Sequence, residues 1–256
     1  RNLEEKREQV KNIITEQGNM TEELEQKLSL AETMTEIEDI YRPFRPKRRT
    51  RATIAKEKGL EPLADLIWLQ IVTDSIESMA KDFIDTEKGV ETVEEALSGS
   101  KDIIAERISD DADLRKMLRT ETVKNGFLIA KASDETAQSV YEMYYDFKEP
   151  IKKVAGHRVL AINRGEKENF LTVKIALEDE NIVLQKLAYK VIIKNSNTKE
   201  ILQEVIADSY KRLIAPSLER EIRNDMTEQA EENAIKVFRE NLKQLLLQPP
   251  IKDKVV

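Results

Sequence analysis

The sequence predicts a mostly α-helical protein: an elongated multi-helix region with a helix-turn-helix-like unit, a small β-hairpin and a long C-terminal helix. Aromatic residues are only 5% of the 256 residues, and seven glycines and seven prolines leave long stretches without a helix breaker. Glu, Lys, Leu and Ala, which favour helices, are frequent. Charged residues reach 36% with a net charge of −7, so we expect a soluble chain with a thin core.

Residues 1–72 are predicted to form a helical hairpin, a basic connector and the helix-turn-helix-like unit. A charged helix spans Leu3 to Gln17, and the next helix runs to about Asp39 with apolar residues at steps of three and four. Past the connector, Thr50 can cap a short helix that Gly59 ends. Pro62 then falls in the first turn of another helix, where proline is tolerated.

Residues 73–156 are predicted to hold short helices separated by turns. Thr92 and Glu95 have the spacing of a capping box, so they mark the start of a helix. Gly99 is expected to end that helix, and Ser100 and Ser109 are expected to precede the next two.

An aromatic cluster follows, on a helix that Ser133 is expected to open and Pro150 to stop. The cluster consists of Tyr141, Tyr144, Tyr145 and Phe147. These rings can form a platform on which bases stack, but helical spacing favours a small core.

Residues 157–196 are predicted to contain the β-hairpin. Arg158–Asn163 and Phe170–Ala176 alternate apolar and polar residues on either side of a turn that includes Gly165. A third weak β-like segment, Ala188–Lys194, competes with a helical interpretation.

Residues 197–248 are predicted to form a long helical arm. One helix runs from Lys199 to about Ile214, and a longer one runs from Pro216 through Leu247. Residues 249–256 resemble the first strand of a further domain.

A basic connector interrupts this acidic chain. Between Tyr41 and Lys56 there is no acidic residue. Pro43 and Pro46 fix their own φ and disfavour the α region for the residue before each, which predicts a stiff, extended segment. The candidate nucleic-acid-binding residues on the connector are Arg42, Arg45, Lys47, Arg48, Arg49 and Arg51.

Two roles for the connector remain open from the sequence. Its cations can bind nucleic-acid phosphates without reading sequence, with Tyr41 or Phe44 stacking on a base. Alternatively, its guanidinium groups can pair with carboxylates of neighbouring helices and clamp the loop internally. We expect at least part of the row to face solvent.

The helix-turn-helix-like unit after the connector is also a candidate for reading DNA. Its second helix, Pro62–Gln70, is mainly apolar and carries none of the side chains that usually recognise base edges. A helix packed in the core, with Trp68 part of that core, is therefore favoured.

No catalytic, cofactor or metal site can be assembled from the sequence. His157 is the only histidine, and a turn residue before a strand is its favoured interpretation. Gly99-Ser100-Lys101 ends like a phosphate-binding loop but lacks the earlier glycine and the preceding strand. The absence of cysteine fits the cytoplasm, and no apolar run approaches the roughly 20 residues that span a bilayer.

Three blocks of the sequence carry a family resemblance. They are YRPFRPKRRTRATIAKEKGLEPLADLI, YYDFKEPIKKVAGHRVLAINRGEKENFLTVKI and AIKVFRENLKQLLLQPPIKDKVV. Their amino-acid sequences and their order resemble those of the Tex family of bacterial transcription accessory proteins. Members of that family continue into a ribonuclease-H-like YqgF domain, helix-hairpin-helix elements and an OB-fold RNA-binding domain. The resemblance implies that this chain is an N-terminal fragment that ends where the YqgF domain begins.

The resemblance also implies a function in transcription for the longer protein. For this region we expect non-catalytic binding of RNA or DNA, through the parent protein and the basic connector. The alternative is a scaffold or protein-interaction arm that docks RNA polymerase or the parent's own C-terminal domains. A solvent-facing row of arginines favours the first, and a row buried against carboxylates favours the second.

Overall fold

The fold was obtained as a computed structural model, which describes residues 2–46, 48–71, 75–193 and 196–247. The predicted fold class is confirmed, since most of these residues are helical and the rest include one small antiparallel sheet. The α-helices are α1 (Asn2–Glu16), α2 (Glu22–Leu30), α3 (Met34–Tyr41), α4 (Arg51–Glu57), α5 (Glu61–Leu69), α6 (Ile76–Lys81), α7 (Val93–Asp110), α8 (Ala112–Asn125), α9 (Gly156–Lys167), α10 (Glu180–Val191), α11 (Lys199–Asp208) and α12 (Ala215–Leu246). None of the helices in the described ranges is both long and apolar enough to cross a bilayer.

The chain folds into two compact units, and each unit is made of two separate stretches. The first unit comprises the residues up to Thr120 together with Asp179–Ser217. The second unit comprises Glu121–Glu178 and the residues from Leu218 onward.

The second predicted helix is divided in two, as α2 and α3. Thr33 caps α3, because its hydroxyl accepts a hydrogen bond from the amide of Glu36 at 3.2 Å. The guanidinium of Arg7 donates to the carbonyls of Leu28 and Ala31, both at 2.8 Å. Arg7 therefore satisfies carbonyl groups that the end of α2 leaves without helical partners.

Helix α7 is the centre of the first unit and packs against α4, α5, α6 and α11. Its start is as predicted, with the Thr92 hydroxyl accepting from the Glu95 amide at 3.2 Å. The predicted end at Gly99 is wrong, since α7 continues to Asp110. A Cβ atom at position 99 would lie 2.4 Å from Leu60 Cδ1, so the glycine permits a close approach within the core.

The two serines expected to precede new helices both lie inside α7. The hydroxyl of Ser100 donates to the Ala96 carbonyl at 2.9 Å, and that of Ser109 donates to the Glu106 carbonyl at 2.8 Å. A hydroxyl that bonds to a carbonyl of the preceding turn is compatible with a helix interior, so neither serine acts as a cap.

The second unit contains a three-stranded antiparallel sheet of order β2-β1-β3, formed by β1 (Gly126–Ala132), β2 (Asp146–Pro150) and β3 (Leu171–Leu177). The predicted hairpin is wrong in its first strand, because Arg158–Asn163 lies within α9. Its second strand is confirmed as β3, which pairs with β1 instead. The apolar residues Val159 and Ile162 are three apart, which fits one face of a helix, and both are buried.

The aromatic cluster is not on a helix of the predicted kind. A short 3₁₀ turn, Glu142–Tyr144, leads into β2. Tyr141 and Tyr144 are buried in the core beneath the sheet with Leu128, and the ring centroids of Tyr144 and Phe147 are 5.6 Å apart. The interpretation as a small core is the one that the structure supports.

The long helical arm is present. Helix α11 continues through a π-helical segment, Ser209–Ile214, into α12, and Pro216 lies in the first turn of α12. The β-like segment near Ala188 is helical up to Val191, within α10. The predicted strand in residues 249–256 lies outside the described residues.

Candidate nucleic-acid interface

The connector begins as a continuation of α3 and not as an extended chain. Arg42 has φ −52° and ψ −45° and opens a 3₁₀ turn, Arg42–Phe44. The helical path of α3 therefore overrides the preference that Pro43 imposes on Arg42. Arg45 is extended as predicted, with φ −68° and ψ 134°.

Three connector arginines form ion pairs with acids of the first unit. Arg42 Nε lies 3.3 Å from an oxygen of Asp110, and the Arg42 side chain is 32% exposed. Arg45 pairs with Glu38, and Arg49 Nη2 lies 2.7 Å from an oxygen of Glu57. The exposed fractions of the Arg45 and Arg49 side chains are 54% and 68%, so these two pairs lie in solvent.

Arg48 and Arg51 are also exposed. Within the described residues Arg48 makes no ion pair. Arg51 opens α4 near Asp102, where burial raises the pKa of the Asp102 carboxyl while the positive charges of Arg212 and Arg51 oppose that rise. Lys47 lies outside the described residues.

The two aromatic residues of the connector differ in burial, since Tyr41 is buried and Phe44 is partly exposed. Tyr41 is buried in a core cluster with Ile37 and Ile40, and Phe44 packs against the same cluster. The Phe44 carbonyl also accepts a hydrogen bond from the Gln17 side chain at 3.1 Å. These contacts fix the start of the connector and leave its charges as the groups available to a ligand.

Ion pairs in solvent hold the connector only weakly. An exposed pair contributes about 0–1 kcal/mol, because water screens it and ordering two long side chains costs entropy. A phosphate can therefore replace Glu38 or Glu57 as the partner of Arg45 or Arg49 at small cost. Arg42, which is more buried, is better suited to clamping the loop.

Sequence patterns did not reveal a buried ion cluster just before the connector. Asp39, on α3, accepts from Arg115 Nε at 2.6 Å and from Arg119 Nη2 at 2.7 Å. Arg115 is fully buried, and its Nη2 also donates to the Ser217 hydroxyl at 3.2 Å. The cluster anchors α3 to α8 and so fixes the helix from which the connector starts.

The helix-turn-helix-like unit consists of α4, a turn at Gly59 with φ +83°, and α5. Thr50 caps α4 as predicted, with its hydroxyl accepting from the Thr53 amide at 3.0 Å. The buried residues of α5 are Leu63, Ala64 and Ile67. Helix α5 therefore packs in the core, as the sequence favours.

Trp68 of α5 lies beside Arg107, whose guanidinium carbon is 5.7 Å from the ring centroid. Arg107 also donates to Asp65 at 2.6 Å. Trp68 is half-buried and is not among the buried core residues of α5, so the prediction that it belongs to the core is wrong.

The remaining candidate residues do not assemble a second chemical centre. His157 is exposed in the first turn of α9, so its predicted place before a strand is wrong. Lys101 lies within α7 and pairs with Glu204 at 2.6 Å. In the part of the chain that the structure describes, no group of three or more His, Cys, Asp or Glu side chains is arranged to hold a metal ion.

Fold and connector together define a mostly helical protein region with an exposed cationic segment in an acidic chain. Residues 73–238 match the Tex central region-like family model. The match covers more than half of the chain, so the chain belongs to this family.

Relatives in other organisms agree with this assignment. The chain is 50% identical over 260 residues to the uncharacterized protein YdcI of Bacillus subtilis, covering 100% of this chain and 36% of that protein. It is 33% identical to the transcriptional accessory protein Tex of Neisseria gonorrhoeae, covering 98% of this chain and 34% of that protein. It is 29% identical to the human S1 RNA-binding domain-containing protein 1, covering 93% of this chain and 25% of that protein. The chain thus spans about a third of the length of its bacterial relatives.

Proposed function

We propose that this chain is the helical region of a Tex-like transcription accessory protein and binds nucleic acid without sequence preference. The basic connector is the contact surface in this proposal, and Arg45, Arg48, Arg49 and Arg51 are its exposed cations. In this proposal the region is non-catalytic, because the sequence offers no nucleophile with a neighbouring base and orienting group. The proposal also places the region in the cytoplasm, which the absence of cysteine fits.

The observation that carries the proposal is the exposure of the arginine row. Arg48 is exposed without an ion pair inside the described ranges, and the pairs of Arg45 and Arg49 lie in solvent. Binding to a phosphate releases the counterions condensed on the nucleic acid, a favourable term that exposed carboxylates do not supply. The connector is therefore better matched to a polyanion than to a permanent internal partner.

The names of two relatives agree with this function. One is a transcriptional accessory protein, and another is named for an S1 RNA-binding domain. Both proteins are much longer than this chain. That this region shares in the activity of the whole protein is therefore part of the proposal.

The proposal can be tested with fluorescently labelled single-stranded RNA and duplex DNA, titrated with the chain at several salt concentrations. The variant Arg48→Glu/Arg49→Glu removes two cations and adds two anions. We expect the slope of log K against log salt for single-stranded RNA to become less steep by about 1 to 2, since each lost phosphate contact removes about 0.7.

A charge-matched control separates the connector from the general charge of the protein. Lys81→Glu/Lys190→Glu makes the same change in net charge at two exposed helix positions of the first unit. An unchanged slope in the connector variant, or an equal change in the control, would contradict the proposal.

A second candidate function is a scaffold that docks RNA polymerase or later parts of the parent protein. It is favoured by the C-terminal half of α12, where Ile235, Phe238, Leu242 and Leu245 recur at steps of three and four and are all exposed. Single exposed apolar residues are ordinary, but an aligned set marks an interaction surface. A chain that binds neither RNA nor DNA even at low salt would favour this second function.

A further inference from the structure

One face of the small sheet is open to solvent. Along β1, Leu128 and Ala130 point into the core of the second unit. Because successive side chains of a strand alternate between faces, Phe127, Ile129 and Lys131 point to the opposite side. Phe127 and Ile129 are partly exposed and Lys131 is exposed, which agrees with this alternation.

Lysines line this open face on all three strands. Ile129 of β1 is paired with Lys148 of β2 on one side and with Lys174 of β3 on the other. Directly paired residues of an antiparallel sheet are neighbours on the same face, so these two lysines flank Ile129, and Lys131 is two positions further along β1. All three lysines are exposed.

The counter-charges near these lysines are few. Lys148 Nζ lies 3.3 Å from Glu178, and both side chains are largely in solvent. Asp146 of β2 is paired in register with Lys131. Lys131 and Lys174 make no ion pair with any described residue, so the face as a whole is cationic.

An aromatic ring lies among the lysines. Lys148 Nζ is 4.4 Å from the centroid of the half-buried Phe127 ring. A nucleic-acid base stacks on an aromatic ring more strongly than an exposed lysine interacts with it. A base can therefore displace Lys148 from Phe127 and release its ammonium group to bind a phosphate.

We propose that this open sheet face is a second binding surface, and that its ligand is single-stranded RNA. A flat sheet with one ring and three cations suits splayed bases and a flexible phosphate backbone better than a stacked duplex. Asp146 and Thr172 are paired in register on either side of Lys131, and their oxygens can accept hydrogen bonds from ribose 2′-hydroxyl groups. The surface lies in the second unit and does not depend on the connector.

The test compares two triple variants by the anisotropy of a labelled oligouridine. Lys131→Gln/Lys148→Gln/Lys174→Gln removes the lysines of the face. Lys167→Gln/Lys236→Gln/Lys243→Gln makes the same charge change at exposed helix positions of the second unit. We expect the sheet variant to bind at least about tenfold more weakly, with a salt slope less steep by about 2, and the control to change less than about threefold.

Stacking and sugar recognition have their own measurements. Phe127→Leu keeps an apolar side chain but removes the ring, so binding should weaken about threefold to tenfold with the salt slope unchanged. Oligodeoxyuridine of the same length should bind more weakly than oligouridine, since it lacks the 2′-hydroxyl. Circular dichroism of each variant verifies that the helices and the sheet are retained.

Several results would overturn the inference. These are an equal loss of affinity in both triple variants, full binding by Phe127→Leu, or equal affinity for the two oligonucleotides. Loss of binding only in Arg48→Glu/Arg49→Glu would leave the proposed function of the connector intact and remove the sheet surface. Loss of binding only in the sheet variant would support the sheet surface and contradict the proposed function of the connector.

Discussion

Asp39 lies in a buried cluster of charged side chains. It is buried with one fully buried guanidinium and one largely buried guanidinium against its two oxygens. The partners are Arg115 and Arg119, 76 and 80 residues further along the chain. Only the fold brings these charges together, so no local pattern around Asp39 predicts them.

Replacing Asp39 should destabilise the first unit strongly. Asp39→Asn leaves two guanidinium groups without their carboxylate, and breaking a buried ion pair in this way costs about 3–5 kcal/mol. The measurement is the free energy of unfolding in urea. Asp65→Asn is the matched control, because the Asp65–Arg107 pair is half exposed and should contribute less than about 1 kcal/mol. Similar losses of unfolding free energy in Asp39→Asn and Asp65→Asn would show that the burial of Asp39 does not determine the destabilisation.

Tyr210 gives the protein a defined sensitivity to alkaline pH. Burial, and secondarily the negative charge of Glu180, raises the pKa of the Tyr210 phenol from 10.0 to about 12. The native protein keeps this proton between pH 10 and 12, whereas the unfolded chain releases it. The stability that results is complete below pH 10 and is lost as the pH rises to about 12.

We therefore expect the free energy of unfolding to fall more steeply between pH 10 and 12 in the wild type than in Tyr210→Phe. Urea unfolding at a series of pH values measures both slopes. Tyr189, which is exposed, provides the control, and Tyr189→Phe should follow the wild type. If the free energy of unfolding falls in parallel with pH in the wild type and in Tyr210→Phe, the phenol of Tyr210 is not the cause of the alkaline loss of stability.

Helix α7 shows how a contact between elements can override a local signal. Glycine usually ends or weakens a helix, which is why the sequence predicts a helix end at Gly99. The structure has a continuous helix there, and a glycine is required because Ala55 of α4 and Leu60 approach too closely for a side chain at position 99. The capping residue Thr92 was predictable because its partner is three residues away.

Gly99→Ala should destabilise the first unit despite the better helix propensity of alanine. The gain in propensity is about 1 kcal/mol, whereas forcing a methyl group into a close-packed core costs about 1–3 kcal/mol. Urea unfolding should therefore give a net loss. Leu60→Ala supplies the missing space, so the loss in the double variant should be smaller than the sum of the two single losses. Strict additivity would mean that the new methyl group does not meet Leu60.

The sheet illustrates the limit of periodicity as a predictor. A run of six residues, Arg158–Asn163, is too short for periodicity to decide firmly between a strand and a helix, and only the spacing of three between Val159 and Ile162 indicates the helix. The true partner of β3 is β1, which pairs Leu171 with Ala132. Sequence alone predicted that β3 is a strand but not where its neighbour would come from.

The net charge of −7 conceals a local excess of positive charge at the connector. The basic run was evident from the sequence, because it depends only on residue types. Which of its arginines are neutralised was not, since Asp110 and Glu57 reach the connector through tertiary contacts. The open lysine face of the sheet was missed for the same reason, because its residues come from three separate strands.

The exposed apolar residues of α12 form a surface that we do not expect to contribute to the stability of the fold. Phe238→Glu/Leu245→Glu should leave the free energy of unfolding within about 0.5 kcal/mol of the wild type, since both side chains are exposed. If the chain self-associates through this face, analytical ultracentrifugation should show less self-association in the double variant. Ile222→Glu, at a buried position of the same helix, should by contrast unfold the second unit. A large loss of stability in the double variant would mean that this face is covered within the chain.

The first unit is built from two stretches of chain, and this has a consequence during synthesis. The Ala105 carbonyl receives its bond from the Ser209 hydroxyl, 104 residues later. A ribosome adds roughly 5–20 residues per second. The side of α7 that packs against α11 therefore lacks its partner for roughly 5–20 s of translation. Nascent chains stalled before Lys199 should therefore be cut by protease within α7, and chains stalled well after Ser217 should resist. Resistance of the shorter chains would show that the early helices reach a protected state alone.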